Sequence, residues 1–402
     1  MTEHAMAVPL KQKYFTPGVW VLTALFGTAL VIALVRFLLG LGAVTNLNTQ
    51  YPWGIWIAID VASGVALAAG GFTSAFLIHI IHKEEYHALS RPALLTAMLG
   101  YTFVVLGLLV DLGRYYNVWH PILPSMWQGN SALFEVGMCV MTYLTVLYIE
   151  FIPIVAEQYR DRVNLPIFKF LNKPLGRLLA FLDTKMGKIM FIFIILGVVL
   201  SFMHQSSLGA LMVLVKTKMH PLWWSPILAL EFLLSAIAVG FPMIIVESLA
   251  ASRSFKLKPE MSVLAPFARY VPITLGLYLA TRFANLTIRE TWGYAFDGSL
   301  ESWFFLAEIF FGGILPFILF LQEKVRRSPL LLFIAALLVV LGVVFNRINV
   351  YLVAYKPVYL AERYVPTLWE ILLTVGLVSG LILIYRFLVI HLPVIHAGRK
   401  TS

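Results

Sequence analysis

Cysteine occurs once in the 402 residues, as Cys139 inside an apolar stretch. A single thiol closes no disulfide and cannot supply the ligand set of a zinc ion or an iron–sulfur cluster. Charge is scarce too: Asp, Glu, Lys and Arg make up 12% of the chain against 60% hydrophobic residues. That is more apolar surface than one soluble core can cover, so lipid must be the solvent for most of it. Histidines at membrane depth are few. Only His79 and His204 fall inside apolar runs, toward opposite faces, whereas a b-type haem needs facing histidines, so no haem is expected. The beginning of the chain lacks a small-residue cleavage site. Residues 1–17 are polar and the first apolar run, 18–39, is already long enough to span, so it should remain in the mature protein.

What is present is a series of apolar runs of about twenty residues bounded by Pro, Gly and charge. Ten are read: 18–39, 54–81, 93–114, 131–157, 189–206, 225–249, 264–285, 302–321, 330–350 and 367–390. An all-α integral membrane protein with ten transmembrane helices follows. An even count puts both termini on one side, and 21 of the 30 Lys and Arg residues fall on that side, seven of them in the loop after span four. Both termini are therefore expected in the cytoplasm. The net charge of +10 is spread over these loops without an aromatic-interleaved patch, which argues for membrane lipid and against nucleic acid as the partner. The opposite loops, 117–130, 217–225, 290–301 and 353–366, are rich in Trp, Tyr, Pro and His, which suits a docked protein.

An ionised group at membrane depth costs on the order of 2.5–3.5 kcal/mol on insertion scales, yet the carboxylates here recur in register. Each even span carries one a short way in from the outer face: Asp60, Glu135, Glu231, Glu308 and Glu370. Odd spans end there with Asp111, Arg114 and Tyr115, with His204 and Gln205, with Arg282 and Asn285, and with Asn346, Arg347 and Asn349. The outer third of the bundle reads as a polar chamber. Pairing of Asp111 with Arg114, and of Glu231 or Glu308 with Arg282 or Arg347, accounts for part of it. Near spans two to six the acids still outnumber the cations, which is the condition for proton exchange.

Span four extends this inward. Glu135 and Glu150 are 15 residues apart, about 22 Å of rise and about 1500° of rotation, which returns to within about 60° of the same helix face. Thr142 and Tyr143 lie between, and His79, His82 and Glu247 fall near the cytoplasmic end. The stripe reads either as interhelical hydrogen bonding or as a proton path through Glu135, Glu150, Glu247 and His79. Span two contributes Ser63, Gly64, Ala68, Gly70, Gly71 and Ser74, a small-residue surface that serves close helix packing or leaves a slot for a flat ligand.

These residues resemble a known family. The segments are 52–60 (Pro-Trp-Gly-Ile-Trp-Ile-Ala-Ile-Asp), Asp111-Leu112-Gly113-Arg114-Tyr115, Asn130-Ser131-Ala132-Leu133-Phe134-Glu135, Met203-His204-Gln205-Ser206-Ser207, His220-Pro221-Leu222-Trp223 and Pro366-Thr367-Leu368-Trp369-Glu370. In order, over about residues 36–390, they are similar to the NrfD/PsrC family of polysulfide-reductase-type membrane subunits, and within it to the type that serves a quinone-linked uptake [NiFe]-hydrogenase. The resemblance implies two four-helix bundles, spans two to five (about 54–206) and six to nine (about 225–350), flanked by spans one and ten. Outside the ten-span domain, 18–390, lie a cytoplasmic segment, 1–17, and a tail, 391–402. It further implies a periplasmic partner with ferredoxin-like [4Fe–4S] clusters, fed by small and large hydrogenase subunits, in the bacterial cytoplasmic membrane. The quinone, menaquinone or ubiquinone, would be handled in the first bundle near Asp60, Asp111, Arg114, Tyr115 and His204. The chain itself would then carry no hydrogen chemistry and be inactive alone. The alternatives are the membrane subunit of another oxidoreductase of the same family, or an ion-coupled secondary transporter, which would show broken helices at the midplane.

Overall fold

The computed structural model describes residues 7–10, 12–159, 169–358 and 363–395. Lys11, Arg160, Arg162, Arg399 and Lys400, counted above on the basic side, lie outside the described residues, as do most of the two terminal segments' ends and 359–362 of the last aromatic loop.

Ten helices among the described residues are long and apolar enough to cross a bilayer, as the ten apolar runs require. They are α1 Pro17–Leu39, α2 Trp56–Ile80, α3 Glu84–Asp111, α4 Ala132–Tyr159, α5 Ile189–Val213, α6 Leu228–Ser254, α7 Met261–Ile288, α8 Leu300–Leu321, α9 Pro329–Val353 and α10 Leu368–His391. Lipid offers the backbone no hydrogen bonds, so the chain satisfies its amides within helices, and described strand pairing is limited to isolated bridges such as Met219 with Tyr355. The helix of α5 begins well before the membrane, at Lys169, and runs 45 residues to Val213. That is about 68 Å, roughly twice the hydrocarbon thickness, so its first turns stand outside as helix where a loop is expected from the basic residues.

The first and last described segments lie on one face. Val8 N–H donates to Ile395 O and Leu10 N–H to Val389 O, each at 3.4 Å. Arg386, buried in α10, donates to Lys13 O at 2.9 Å and Tyr14 O at 3.1 Å. We call this the terminal face. Helices α2 to α5 pack on one another, as do α6 to α9, while α1 pairs with α10 and α10 leans on α3. Helix α6 joins the two bundles by packing on both α2 and α5.

The small residues of α2 are used for close approach. A Cβ built at Gly71 would stand 2.5 Å from Ala97 Cβ on α3, and one at Gly240 on α6 would stand 2.5 Å from Thr73 Oγ1. Gly312 and Gly342 bring α8 and α9 together in the same way. Helix α2 is irregular, π-helical over Trp56–Ser63 and Phe76–Ile80, with a turn at Ala68 and Ala69. Its wide first turns surround Asp60. The mid-helix turn is packed by Ile244 and Gly240 O at Gly70 and by Ala97 Cβ and Ala93 O at Gly71.

Candidate functional site

The two bundles treat their acids differently. In the second, Glu231 forms an ion pair with Arg282 through one oxygen and accepts from Asn285 Nδ2 at 2.7 Å with the other. Glu308 accepts from Trp223 Nε1 at 2.8 Å and from Asn346 and Asn349, both at 2.7 Å. Arg347 is held by Asn346 Oδ1 at 2.6 Å and Ser235 Oγ at 2.8 Å and lies 3.7 Å from the centre of the Phe232 ring. Every oxygen of Glu231 and Glu308 has a donor; the polar atoms left over among the described residues are Arg282 Nε, Arg289 Nη1, Arg347 Nε and Asn349 Oδ1. Two acids balance two cations, which is the saturated form in which buried charge is tolerated. The pairing expected for these residues is therefore present, with Glu231 the partner of Arg282 and Glu308 served by neutral donors.

The first bundle keeps open valences. Asp60 is buried at the top of α2 beside Gly107 of α3, whose added Cβ would lie 3.0 Å from Asp60 Cβ, and it accepts one bond, from Thr374 Oγ1 of α10 at 3.0 Å. Asp111 ends α3 and its buried Oδ1 has no partner among the described residues. Arg114 is exposed and does not pair with Asp111. Two residues of turn carry its side chain past the end of α3 toward solvent. The cation that faces Asp111 is Arg36 of α1, 2% exposed, which donates through Nε to Val110 O and through Nη2 to Leu112 O at 2.5 Å. Tyr115 and Phe37 flank it, each ring centre 5.0 Å from the guanidinium carbon.

Glu370, expected as a chamber acid, is a capping residue. It closes a capping box with Thr367, the first turn of α10, and accepts from Tyr364 Oη and the Asn46 amide. Such reciprocal bonds satisfy helix-start amides that nothing else in the turn can reach. Span one, which the sequence left out of the chamber, thus joins it through Arg36, and span ten contributes Thr374 beside Glu370.

His204 stands apart from this cluster, further along the bundle. It is fully buried, its Nδ1 3.3 Å from Tyr101 Oη and its Nε2 without a partner among the described residues. Gln205 donates to Val65 O at 2.9 Å, five residues along α2 from Asp60, about 7.5 Å of rise. Ser201 Oγ and Gln205 Oε1 are also buried without partners. Tyr101 packs edge-on against Tyr143 at 4.6 Å between ring centres.

The stripe on α4 differs from its helical-wheel reading. Glu135 is on the surface, accepting from Ser207 Oγ at 2.6 Å, and Thr142 is exposed with its hydroxyl returned to Met138 O. The wheel fixes which residues share a face but not which face meets the bundle. Tyr143 and Glu150 do turn inward. Glu150 lines a cavity of about 260 Å³ together with His79, His87, Arg91, Ser74 and Gly71, so two expected proton-transfer residues, Glu150 and His79, meet there. Glu247 is in a separate, smaller cavity of about 40 Å³, bonded by Tyr385 Oη at 2.7 Å.

Arg36, Thr374, Tyr101 and Tyr364 were not singled out from the sequence. Arg36 did carry a signal, as an arginine inside the first apolar run, and so did the Thr367-x-x-Glu370 spacing of a capping box. A membrane-embedded threonine or tyrosine carries none.

The family model described as "Polysulphide reductase, NrfD" matches residues 43–358. A Nitratidesulfovibrio vulgaris chain described only as "Protein" is 36% identical over 390 residues, 95% of each chain. The Escherichia coli K12 "Probable Ni/Fe-hydrogenase 2 b-type cytochrome subunit" is 32% identical over 390 residues, 96% of this chain and 94% of that one. The Nitratidesulfovibrio vulgaris "Menaquinone reductase, integral membrane subunit" is 27% identical over 395 residues, 92% and 89% of the two chains. The word cytochrome raises the question of a haem. Here His204 faces Tyr101 Oη at 3.3 Å, and His79 and His87, with ring centres 6.4 Å apart, border the Glu150 cavity. With a family model over most of its length and relatives aligned nearly end to end, this ten-span chain belongs to the NrfD family.

Proposed function

We propose that this chain is the quinone-reactive membrane subunit of a hydrogenase complex, passing electrons between a periplasmic iron–sulfur subunit and membrane menaquinone or ubiquinone. The observation that carries the reading is the unsaturated acid cluster of Asp60 and Asp111 beside Arg36, at one face of one bundle, while the acids of the other bundle are saturated. A quinone carbonyl gaining charge needs a donor, and a quinol losing protons needs an acceptor. The names of the aligned hydrogenase and menaquinone reductase subunits support the same assignment.

The bias of Lys and Arg, 21 of 30 read from the sequence on the terminal side, supports cytoplasmic termini and a periplasmic chamber, and the reading assigns the chain to the bacterial inner membrane. A surface built by 217–225, 353–358 and 363–366 then receives the partner. Its backbone is pinned from below by Trp223 on Glu308 and by Arg282 on Leu222 O at 3.0 Å.

Hydrogen oxidised in the partner yields two electrons and two protons, and quinone takes up two of each to become quinol. In this chain Asp60 and Asp111 exchange protons with the bound head group. Tyr101, His204 and Tyr143 bridge the interval toward Glu150 and His79, with Glu135 at the outer end and Glu247 on a side branch. Ordered water in the Glu150 cavity completes that route, so that turnover is coupled to the membrane potential. The test is co-purification of the intact complex with metal analysis and hydrogen-dependent reduction of a menaquinone analogue. Nickel together with iron supports the hydrogenase assignment. Iron and quinone reduction without nickel assigns the chain to another oxidoreductase of the family, and no quinone reduction with any donor refutes the reading.

A further inference from the structure

We infer that Arg36 of α1 is the cationic ligand of the quinone head group, the role the Asp-x-x-Arg-Tyr motif suggests for Arg114. The inference rests on the quinone reading proposed above and deepens it.

Arg36 is the anomaly of the first span. Its neighbours Leu38 and Leu39 are 72% and 74% exposed on the lipid side, and it is 2% exposed. A guanidinium held at this depth is expected to meet a carboxylate, as Arg282 meets Glu231. It does not: among the described residues no ion pair reaches Arg36, and its two hydrogen bonds go to the neutral carbonyls of Val110 and Leu112. Those bonds fix it at the end of α3, where it tethers the last carbonyls of that helix. They also leave Nη1 with no protein acceptor among the described residues.

Asp111 is the counterpart. It sits on the same helix end, between the two carbonyls that Arg36 grips, and its Oδ1 is buried and unpartnered. One cluster therefore holds an open cationic donor and an open acidic acceptor. Those are the two valences that the two redox forms of a quinone need: the carbonyl of the oxidised ring accepts, and the hydroxyl of the reduced ring donates. Phe37 and Tyr115, 4.7 Å apart at 66°, wall the guanidinium with aromatic surface suited to a flat ring, and α1 brings the group within two residues of lipid, where a quinone travels. Arg114, exposed and without a side-chain hydrogen bond among the described residues, has none of these features.

The intact complex tests this with Arg36→Met, Arg36→Lys, Arg114→Met and Asp111→Asn, each assayed with a soluble menaquinone analogue and with a dye reduced at the partner's clusters. Arg36→Met is expected to raise the quinone KM at least about tenfold and Arg36→Lys by less, since an ammonium keeps the charge but not the fork. Dye reduction and Arg114→Met should match wild type. A merely structural role would move melting temperature and both assays together. Should Arg36→Met fail to assemble, Arg36→Lys decides, and a wild-type quinone KM there overturns the inference. If Asp111→Asn impairs quinone reduction while both Arg36 variants do not, Arg36 is wrong and the site reading survives. If none of the variants alters it, the site reading itself has failed.

Discussion

The Thr374 hydroxyl donates to Asp60 Oδ2 at 3.0 Å, the one hydrogen bond this buried carboxyl makes among the described residues. It crosses from α10 to α2, between residues 314 positions apart in the chain. Thr374→Val keeps the shape and removes the donor, which is expected to cost about 1–3 kcal/mol for an acceptor left unpaired. Quinone reduction by the complex should fall with it, while Thr374→Ser should restore both turnover and melting temperature.

The Glu231–Arg282 pair gives a prediction of opposite kind. Removing one member strands a buried charge, so Arg282→Met should destabilise the protein by about 3–5 kcal/mol, read as a lowered melting temperature in detergent. Pairing it with Glu231→Gln removes the stranded charge, and the double variant should recover a large part of the loss. A double variant as unstable as the single one would show that packing, and not charge, dominates there.

Gly197 lies against Glu150. A Cβ added to it would stand 2.9 Å from Glu150 Oε1 and 3.5 Å from Tyr143, so Gly197→Ala must push the carboxyl from its position in the cavity. In proteoliposomes with a trapped pH dye, Gly197→Ala and Glu150→Gln are both expected to reduce internal pH change per electron. If both behave as wild type, and turnover ignores an imposed potential, Glu150 is a packing residue and protons exchange at one face only.

His220 anchors the surface opposite the termini, its amide on Ala354 O at 2.8 Å and its ring beside Trp223 and Tyr294. Burial lowers its pKa below the ordinary histidine value, and Lys356 nearby adds to that, while Glu301 and Asp297 oppose it. A base whose folded pKa is depressed favours the folded state while neutral, so its stabilisation is whole above the unfolded value of about 6.5 and is lost as pH falls toward the folded one. Protection factors of the amides of 219, 220 and 222–224, taken relative to intrinsic exchange at each pH, should therefore fall as pH drops below about 6.5. In His220→Phe this pH dependence should disappear.

The ten spans were legible because apolar runs of span length have few other uses, and their ends differ from the sequence reading by a few residues at most, apart from the extended α5 and the early start of α3. The position of the acids was legible for the same reason, since each is costly in lipid. What no pattern encodes is the partner across the bundle. Arg36 meets Val110 and Leu112 only because α1 lies against the end of α3, and Asp60 finds Thr374 only because α10 returns beside α2. The α4 stripe shows the limit of periodicity: Glu135, Thr142 and Glu150 lie near one another on a helical wheel, yet the first two face outward and only Glu150 enters a cavity.

The most direct test of the account compares two electron sinks in the same purified complex. Hydrogen-dependent reduction of a menaquinone analogue and of a dye that accepts electrons at the partner's clusters would be measured for wild type, Asp60→Asn and His204→Ala. Asp60→Asn is expected to lower quinone reduction by at least about tenfold, a loss of about 1.4 kcal/mol in transition-state stabilisation, with dye reduction unchanged. His204→Ala should lower it less, since it stands further along the bundle. Wild-type quinone reduction and inhibitor binding in both variants would contradict the account and move the quinone away from this chamber.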